Sequence, residues 1–378
     1  MKKIVFLLIL LCIPFRVFAE ELIPNAASGI LLEPYSGKII YSKEMDKEVS
    51  VASLTKMVAQ IIILEEIEKG KIKWNDVVTV SKNAADMGGS QIYLSDGEKM
   101  TVEDLMKGIS VASGNDATVA MAEYISGSEE KFVKRMNKKV KDLGLKHTNF
   151  VNCTGLDEKG HYSSAYDMAI IARELIVNHP EILRFSSIYE DYLREDTPNK
   201  FWLVNTNKLI SQYEGTDGLK TGHTDDAGYC LSATVKRGDL RLIGIVLGEN
   251  DSKVRNKETI DLLDYGFNNT KLKTLKKKNS IIQKINLDKS NKKTINLILK
   301  DNLNVVEEPG TNNKYSYDIK IKEINLPIQK GDVLGSVTVK LKDKIITTGE
   351  LISDRDVSKL KLFDLFKNSI IGIITGNI

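Results

Sequence analysis

Apolar and polar positions change period several times along the chain. Residues 4–13 form an unbroken apolar run. Residues 27–41 read as two short strands about a Pro34-Tyr-Ser-Gly37 turn, a hairpin. From 53 to about 69 the period becomes helical. There Met57, Val58, Ile61, Ile62, Leu64 and Ile67 cover most of the circumference, which predicts a helix buried on most sides. Further helices are predicted over 101–109, 116–124, 129–143, 165–178 and 257–267, with strands over 215–222, 229–236 and 240–247. Strands at both ends of this region, with helices between them, predict one α+β domain whose sheet joins N- and C-terminal strands.

Beyond residue 271 helical periodicity disappears. Alternating runs such as Thr294-Ile-Asn-Leu-Ile-Leu299 and Val333-Leu-Gly-Ser-Val-Thr-Val-Lys-Leu341 predict a small all-β domain. The last stretch changes again. At 100° per residue Leu362, Phe363, Phe366, Ile370, Ile373 and Ile374 share one face, and Lys361, Asp364 and Asn368 lie opposite. Its longest apolar run, residues 370–374, is too short to span a bilayer. An amphipathic helix lying on a membrane surface is expected, with docking on the β domain as the alternative.

Composition narrows the setting. Of 378 residues, 42% are hydrophobic and 28% charged, enough for a buried core and two or three domains. The net charge of +3 is too mild to point to nucleic acid. Lys2 and Lys3, the apolar run and Val17-Phe-Ala19 form a secretory signal peptide over residues 1–19, with a retained anchor as the alternative; function is therefore expected outside the cytoplasm. Cys12 lacks a lipoprotein context, since Leu10 and Leu11 precede it. Cys153 and Cys230 remain, too few for a disulfide framework and read as inert packing, although His147 lies near Cys153 in sequence. The four histidines show no metal-ligand spacing, and no cofactor is expected.

Candidate chemistry begins with Ser53-Leu-Thr-Lys56. The S-x-x-K spacing recurs at Ser128, Ser290 and Ser358, so spacing alone decides nothing. Order and context do more. Ser53-Leu-Thr-Lys56 opens a buried helix, Ser113-Gly-Asn115 falls between helices, and Lys220-Thr-Gly222 lies on a strand after the turn residues Asp217-Gly218. Together they match the signature of penicillin-recognising serine enzymes. A serine hydroxyl needs an adjacent base, and a lysine three residues on reaches it from the same helix face. Lysine acts as a base only when its ammonium form is destabilised, by burial or by a second cation such as Lys220. A helix start also aims backbone N–H groups at a developing oxyanion. Ser53 as an N-cap is compatible with that role.

On these residues the chain resembles the D-alanyl-D-alanine carboxypeptidases among the low-molecular-mass penicillin-binding proteins. The likeness runs on through Gly88-Gly-Ser-Gln-Ile92, Leu143-Gly-Leu-Lys-His-Thr-Asn-Phe150, His161-Tyr-Ser-Ser-Ala165 and Asp217-Gly-Leu-Lys-Thr-Gly-His-Thr224. It covers residues 25–270 strongly and the remainder more loosely. The resemblance implies a penicillin-binding/β-lactamase-like transpeptidase domain over 20–270, an antiparallel sheet with helices. A small all-β domain over 271–355 and a membrane-associating helix over 356–378 would follow.

It also implies roles. Ser53 would attack the terminal D-Ala-D-Ala carbonyl, Lys56 would take its proton, and Ser113 would relay a proton to the departing D-alanine. Asn115 would hold the substrate amide. Lys220, Thr221 and Gly222 would present the strand edge and engage the carboxylate, with help from Arg255. Backbone N–H groups of Ser53 and His223 would form the oxyanion hole. The partners implied are the peptidoglycan stem peptide, β-lactam antibiotics as covalent inhibitors, and the outer face of the cytoplasmic membrane. Arg255 as a surface charge ahead of the last helix is the plainer alternative. His161 reads as ordering a loop and Asp116 as a helix-start residue. A β-lactamase would use the same motifs, but S-G-N replaces S-D-N and a deacylating glutamate has no clear counterpart. A transpeptidase or endopeptidase would differ only in acceptor or substrate, and intact motifs weigh against a vestigial wall-binding protein.

Overall fold

The structure, a computed structural model, describes residues 21–288 and 290–360. The predicted signal peptide and residues 361–378 of the predicted tail helix lie outside them.

The N-terminal part runs β1 (Ser28–Glu33), β2 (Lys38–Lys43), α1 (Lys56–Glu68), β3 (Val77–Thr79), β4 (Lys99–Thr101), α2 (Val102–Val111), α3 (Asn115–Ser126), α4 (Glu129–Asp142) and α5 (Ala165–Asn178). It continues with β5 (Glu190–Leu193), β6 (Phe201–Val204), β7 (Thr216–Thr224), β8 (Gly228–Arg237), β9 (Leu240–Glu249) and α6 (Ser252–Asn269). The main sheet is antiparallel in the order β2-β1-β9-β8-β7, so the N-terminal hairpin completes a sheet otherwise built from C-terminal strands. All six β1 residues are buried because helices cover both faces. Ile30 and Leu32 join the core that holds α1, whereas Leu31 meets Leu262 and Leu263 of α6. As its all-round apolar pattern predicts, α1 is buried at ten of its thirteen positions.

Two boundaries differ from the sequence reading. The helix predicted from 53 begins at Lys56, because Ala52–Thr55 forms a tight 3₁₀ turn that enters from a left-handed Ala52 (φ 46°). The helix predicted from 257 begins at Ser252, because the Asp251 carboxylate accepts from the N–H groups of Lys253 and Val254.

From Lys271 the chain is all β. β10 (Lys271–Lys276) pairs with β13 (Leu303–Glu307), over a sheet ordered β11 (Ile281–Asn286), β12 (Thr294–Leu299), β16 (Lys344–Ser353), β15 (Val333–Leu341) and β14 (Ser316–Ile321). These strands enclose their own core around Leu297, Val305, Val337 and Leu351. Residues 356–360 were expected to open the tail helix, but they are extended. Val357 is buried in the β core and exchanges backbone hydrogen bonds with Ile328 (2.8 and 2.9 Å), which pins this stretch before any helix can begin. Among the described residues no helix is long and apolar enough to cross a membrane.

Candidate active site

The 3₁₀ turn brings Ser53 against the first helical residue. Lys56 Nζ lies 2.8 Å from Ser53 Oγ and donates to the Thr154 carbonyl at 2.7 Å. Lys56 is fully buried, and that burial pulls its pKa down to about 7, although Cys153 and Asp116 favour the charged form. With one N–H committed to Thr154, the neutral amine turns its lone pair to Ser53, and the 2.8 Å contact becomes O–H to N. In that form the amine can accept the proton of the hydroxyl beside it. Ser53 makes no cap: the expected N-cap hydrogen bond is absent at the start of this turn and of α1.

Two glycines allow the neighbours in. Gly155 is left-handed (φ 84°), and a Cβ there would collide with the Ala52 carbonyl, so only glycine lets the loop deliver the Thr154 carbonyl. At Gly222 a Cβ would lie 2.9 Å from the Val51 carbonyl oxygen and 3.0 Å from Ala52 Cβ. The K-T-G strand, β7, can therefore lie flat against the nucleophile turn. Lys220 on that strand is buried and donates to the Thr221 carbonyl at 2.8 Å. Burial first, then the charges of Lys56 and Arg255, hold its pKa well below the usual lysine value. Thr221 Oγ1 donates to Thr206 Oγ1 at 2.7 Å.

Ser113 links α2 to α3 in the left-handed region (φ 63°), a costly conformation for serine that points to an imposed geometry. Its Oγ, and Oδ1 of Asn115, are buried with no hydrogen-bond partner among the described residues. Asn115 Nδ2 donates to the Gly88 carbonyl at 2.7 Å. Polar atoms left bare in this way suit a bound substrate.

Arg255 is not a surface charge. It sits in the first turn of α6, 5% exposed, with Nη1 3.4 Å from the Cys230 carbonyl and Nη2 2.8 Å from Asn256 Oδ1; burial lowers its pKa. It shares a cavity of about 380 Å³ with Ser53, Ser113, Thr206, Thr221 and His223. A second cavity of about 330 Å³ opens on the other side of Ser53, between Asn115, Thr154, Leu156 and His223. The nucleophile thus stands between a cationic chamber and a largely neutral one. The exposed His223 ring lies over Tyr229, 4.1 Å between centroids. A larger cavity of about 630 Å³, between the β1–β2 turn and the β domain, holds no nucleophile–base pair; its serine, Ser36, donates to Glu33.

The remaining candidates fall elsewhere. His161 accepts from the Val151 N–H at Nδ1 (3.3 Å), so Nε2 donates to Thr55 Oγ1 (2.7 Å); burial pushes its pKa down to about 4, and it orders the loop as expected. The Cys153 thiol is pushed up by burial and by Glu129, and both Cys153 and Cys230 are buried and free, while His147 pairs with Glu48. Ser128 caps α4 and Ser290 bonds within a hairpin turn, which disposes of two rival S-x-x-K spacings; the third includes Lys361, outside the described residues. Glu65, Glu174 and His179 cluster at the far end of α1, but Lys139 already bridges the two carboxylates and Glu68 holds His179. Sequence reasoning did not single out Thr154, Thr206 or Leu156. Thr154 acts through its backbone, which leaves no mark in side-chain type.

Comparison with known proteins gives the family. The family model described as D-alanyl-D-alanine carboxypeptidase matches residues 17–251, and the one described as penicillin-binding protein 5, C-terminal domain, matches 271–359. The D-alanyl-D-alanine carboxypeptidase DacF of Bacillus subtilis is 46% identical over 352 residues, 93% of this chain and 90% of that protein. Penicillin-binding protein 5 of Haemophilus influenzae superposes with a TM-score of 0.71 at 33% identity, covering 89% of this chain and 98% of that one. Penicillin-binding protein D2 of Listeria monocytogenes, solved in an ampicillin-bound form, covers 64% of this chain and 98% of its own (TM-score 0.58, 31% identity). By that family match and by a relative 46% identical over 93% of this chain's length, the chain belongs to the D-alanyl-D-alanine carboxypeptidases, the low-molecular-mass penicillin-binding proteins.

Proposed function

We propose that this chain removes the terminal D-alanine from peptidoglycan pentapeptides through a serine acyl-enzyme. The observation that carries the reading is the 2.8 Å contact of Ser53 with a wholly buried lysine whose pKa is about 7, set beside the K-T-G strand. Ser53 Oγ attacks the D-Ala-D-Ala carbonyl carbon as Lys56 takes the hydroxyl proton. The oxyanion is received by the backbone N–H groups of Ser53 and His223. Collapse breaks the C–N bond, and the proton taken by Lys56 is returned to the leaving amine, for which Ser113, its Oγ without a partner among the described residues, is the proposed relay. Water then hydrolyses the ester, with Lys56 again as base. Lys220, Thr221 and Arg255 receive the carboxylate of the departing residue in the cationic chamber, and Asn115 holds the amide of the acyl part on the other side. Burial holds the pKa values of Lys220 and Arg255 below their usual range, and an incoming carboxylate supplies the counter-charge that favours their charged forms. A β-lactam carries the same carboxylate beside a strained amide, and a relative solved in an ampicillin-bound form supports β-lactam binding by this chain.

The decisive assay measures free D-alanine released from a D-Ala-D-Ala pentapeptide. Wild type releases it and Ser53→Ala does not; release unchanged by Ser53→Ala overturns the assignment. The signal sequence and amphipathic tail extend the reading to a secreted enzyme held at the outer face of the cytoplasmic membrane. Removal of residues 361–378 then moves the protein from the membrane to the soluble fraction, and retention on membranes would defeat that attachment.

A further inference from the structure

Residues 88–94 have no regular secondary structure, yet they wall both cavities around Ser53: Ser90 lines each, and Gly89 lines the second. Side chains hold their backbone in place. Asn115 donates through Nδ2 to the Gly88 carbonyl and through its backbone N–H to the Ser90 carbonyl, both at 2.7 Å. Asp116, the residue after this second motif, is wholly buried. Its carboxylate accepts from the N–H groups of Ile92 (3.0 Å), Leu94 (3.0 Å) and Ala117 (2.8 Å).

A cation grips the same segment from the other side. Arg194, at the end of β5, donates from Nη1 to the Ile92 carbonyl (3.1 Å) and from Nη2 to the Tyr93 carbonyl (3.2 Å). Its Nε is tied to Glu98 at 2.6 Å. Ile92 thus has its N–H taken by an anion and its C=O by a cation, charge-assisted bonds stronger than neutral ones. The Ile92 side chain also fills a notch that exists only because Gly108 on α2 lacks a Cβ. The Tyr93 ring meets Phe201 of β6 edge-on, 5.5 Å between centroids. Neither Asp116 nor Arg194 lines either cavity.

We propose that Asp116 and Arg194 are a pair of positioning residues, clamping residues 88–94 from opposite sides and so fixing the wall against which the acyl part of the substrate lies. The inference rests on the carboxypeptidase reading. A wall that touches substrate and transition state alike contributes uniform binding, so its loss raises KM and spares kcat. Asp116 also favours the charged form of Lys56. Arg194 has no such tie, and its variant isolates the clamp.

The experiment is steady-state D-alanine release from a D-Ala-D-Ala pentapeptide, with active sites counted by a fluorescent penicillin. Arg194→Ala raises KM about tenfold with kcat per labelled site within about threefold, and Arg194→Lys recovers part of the loss. Asp116→Asn raises KM at least as far. The double variant falls short of the product of the single factors, because both residues act on one segment. An unchanged KM in Arg194→Ala overturns the proposal, as does a loss confined to the fraction of sites that label, which is what a merely structural role produces. If Asp116→Asn does not fold, the two Arg194 variants decide alone. Wild type that releases no D-alanine overturns the carboxypeptidase reading together with the clamp, and that result is seen before any variant is made.

Discussion

At the scale of single residues, the proposed chemistry depends on an ionisable group kept where it is least comfortable. Lys56 has no exposed surface, and burial brings its pKa to about 7. Below that value the ammonium cannot accept the Ser53 proton; above it the amine can. The rate of acylation by a penicillin, followed by stopped flow, therefore rises with pH through about 7. Arginine cannot be deprotonated in a protein. Lys56→Arg is accordingly expected to lower the rate by about 10³-fold and to abolish the rise near pH 7. A Lys56→Arg enzyme that kept the wild-type pH profile would remove Lys56 as the base.

Among elements, the governing contact is β7 against the Ser53 turn. A methyl group at Gly222 meets the Val51 carbonyl oxygen at 2.9 Å and must push strand and turn apart. Gly222→Ala is expected to cost about 1–3 kcal/mol of stability, the usual range for overpacking. Acylation should slow about 100-fold, since misplacement by an ångström has that effect; thermal melting and penicillin labelling measure the two separately. Much at this scale was legible in the sequence. The three motifs keep their spacing because each is tied to an element with a clear period, and the all-round apolar stretch after Lys56 is the buried α1. The start of α6 was missed because residues 251–257, Asp-Ser-Lys-Val-Arg-Asn-Lys, carry almost no apolar signal; the cap residue Asp251 was the only mark. Residues 88–94 were opaque for a different reason. Apart from the Asn115 N–H on the Ser90 carbonyl, the backbone partners named for them are side chains of Asn115, Asp116 and Arg194, so no repeat of apolar positions records their conformation.

Across the whole molecule, the described residues form two units in series, the first with an apolar cluster on each face of its sheet and the second with one of its own. Residues 271–360 pack around their own apolar centre, and Lys38 reaches across to the Val306 carbonyl at 3.3 Å. The solved Listeria chain is covered over 98% of its length by 64% of this chain, so the fold it shares with this chain does not need all of it. Residues 21–270 are therefore expected to melt in one cooperative transition. They should label with a penicillin within about threefold of the full-length rate, as an independent domain would. A fragment that folds but labels far more slowly would assign the β domain a part in the chemistry.

One property of the large sheet reaches beyond catalysis. β7 is one of its two outermost strands, and the cleft lies along that edge. An outermost strand normally invites other strands to add to it, which is why most proteins blunt or cover their edges. This enzyme keeps its edge unclaimed in order to work. Ser53, Thr206 and Lys208 wall the slot along this edge. Resistance to self-association and the capacity to receive a peptide are thus set by the same walls. Any change that widens the slot trades solubility along with selectivity.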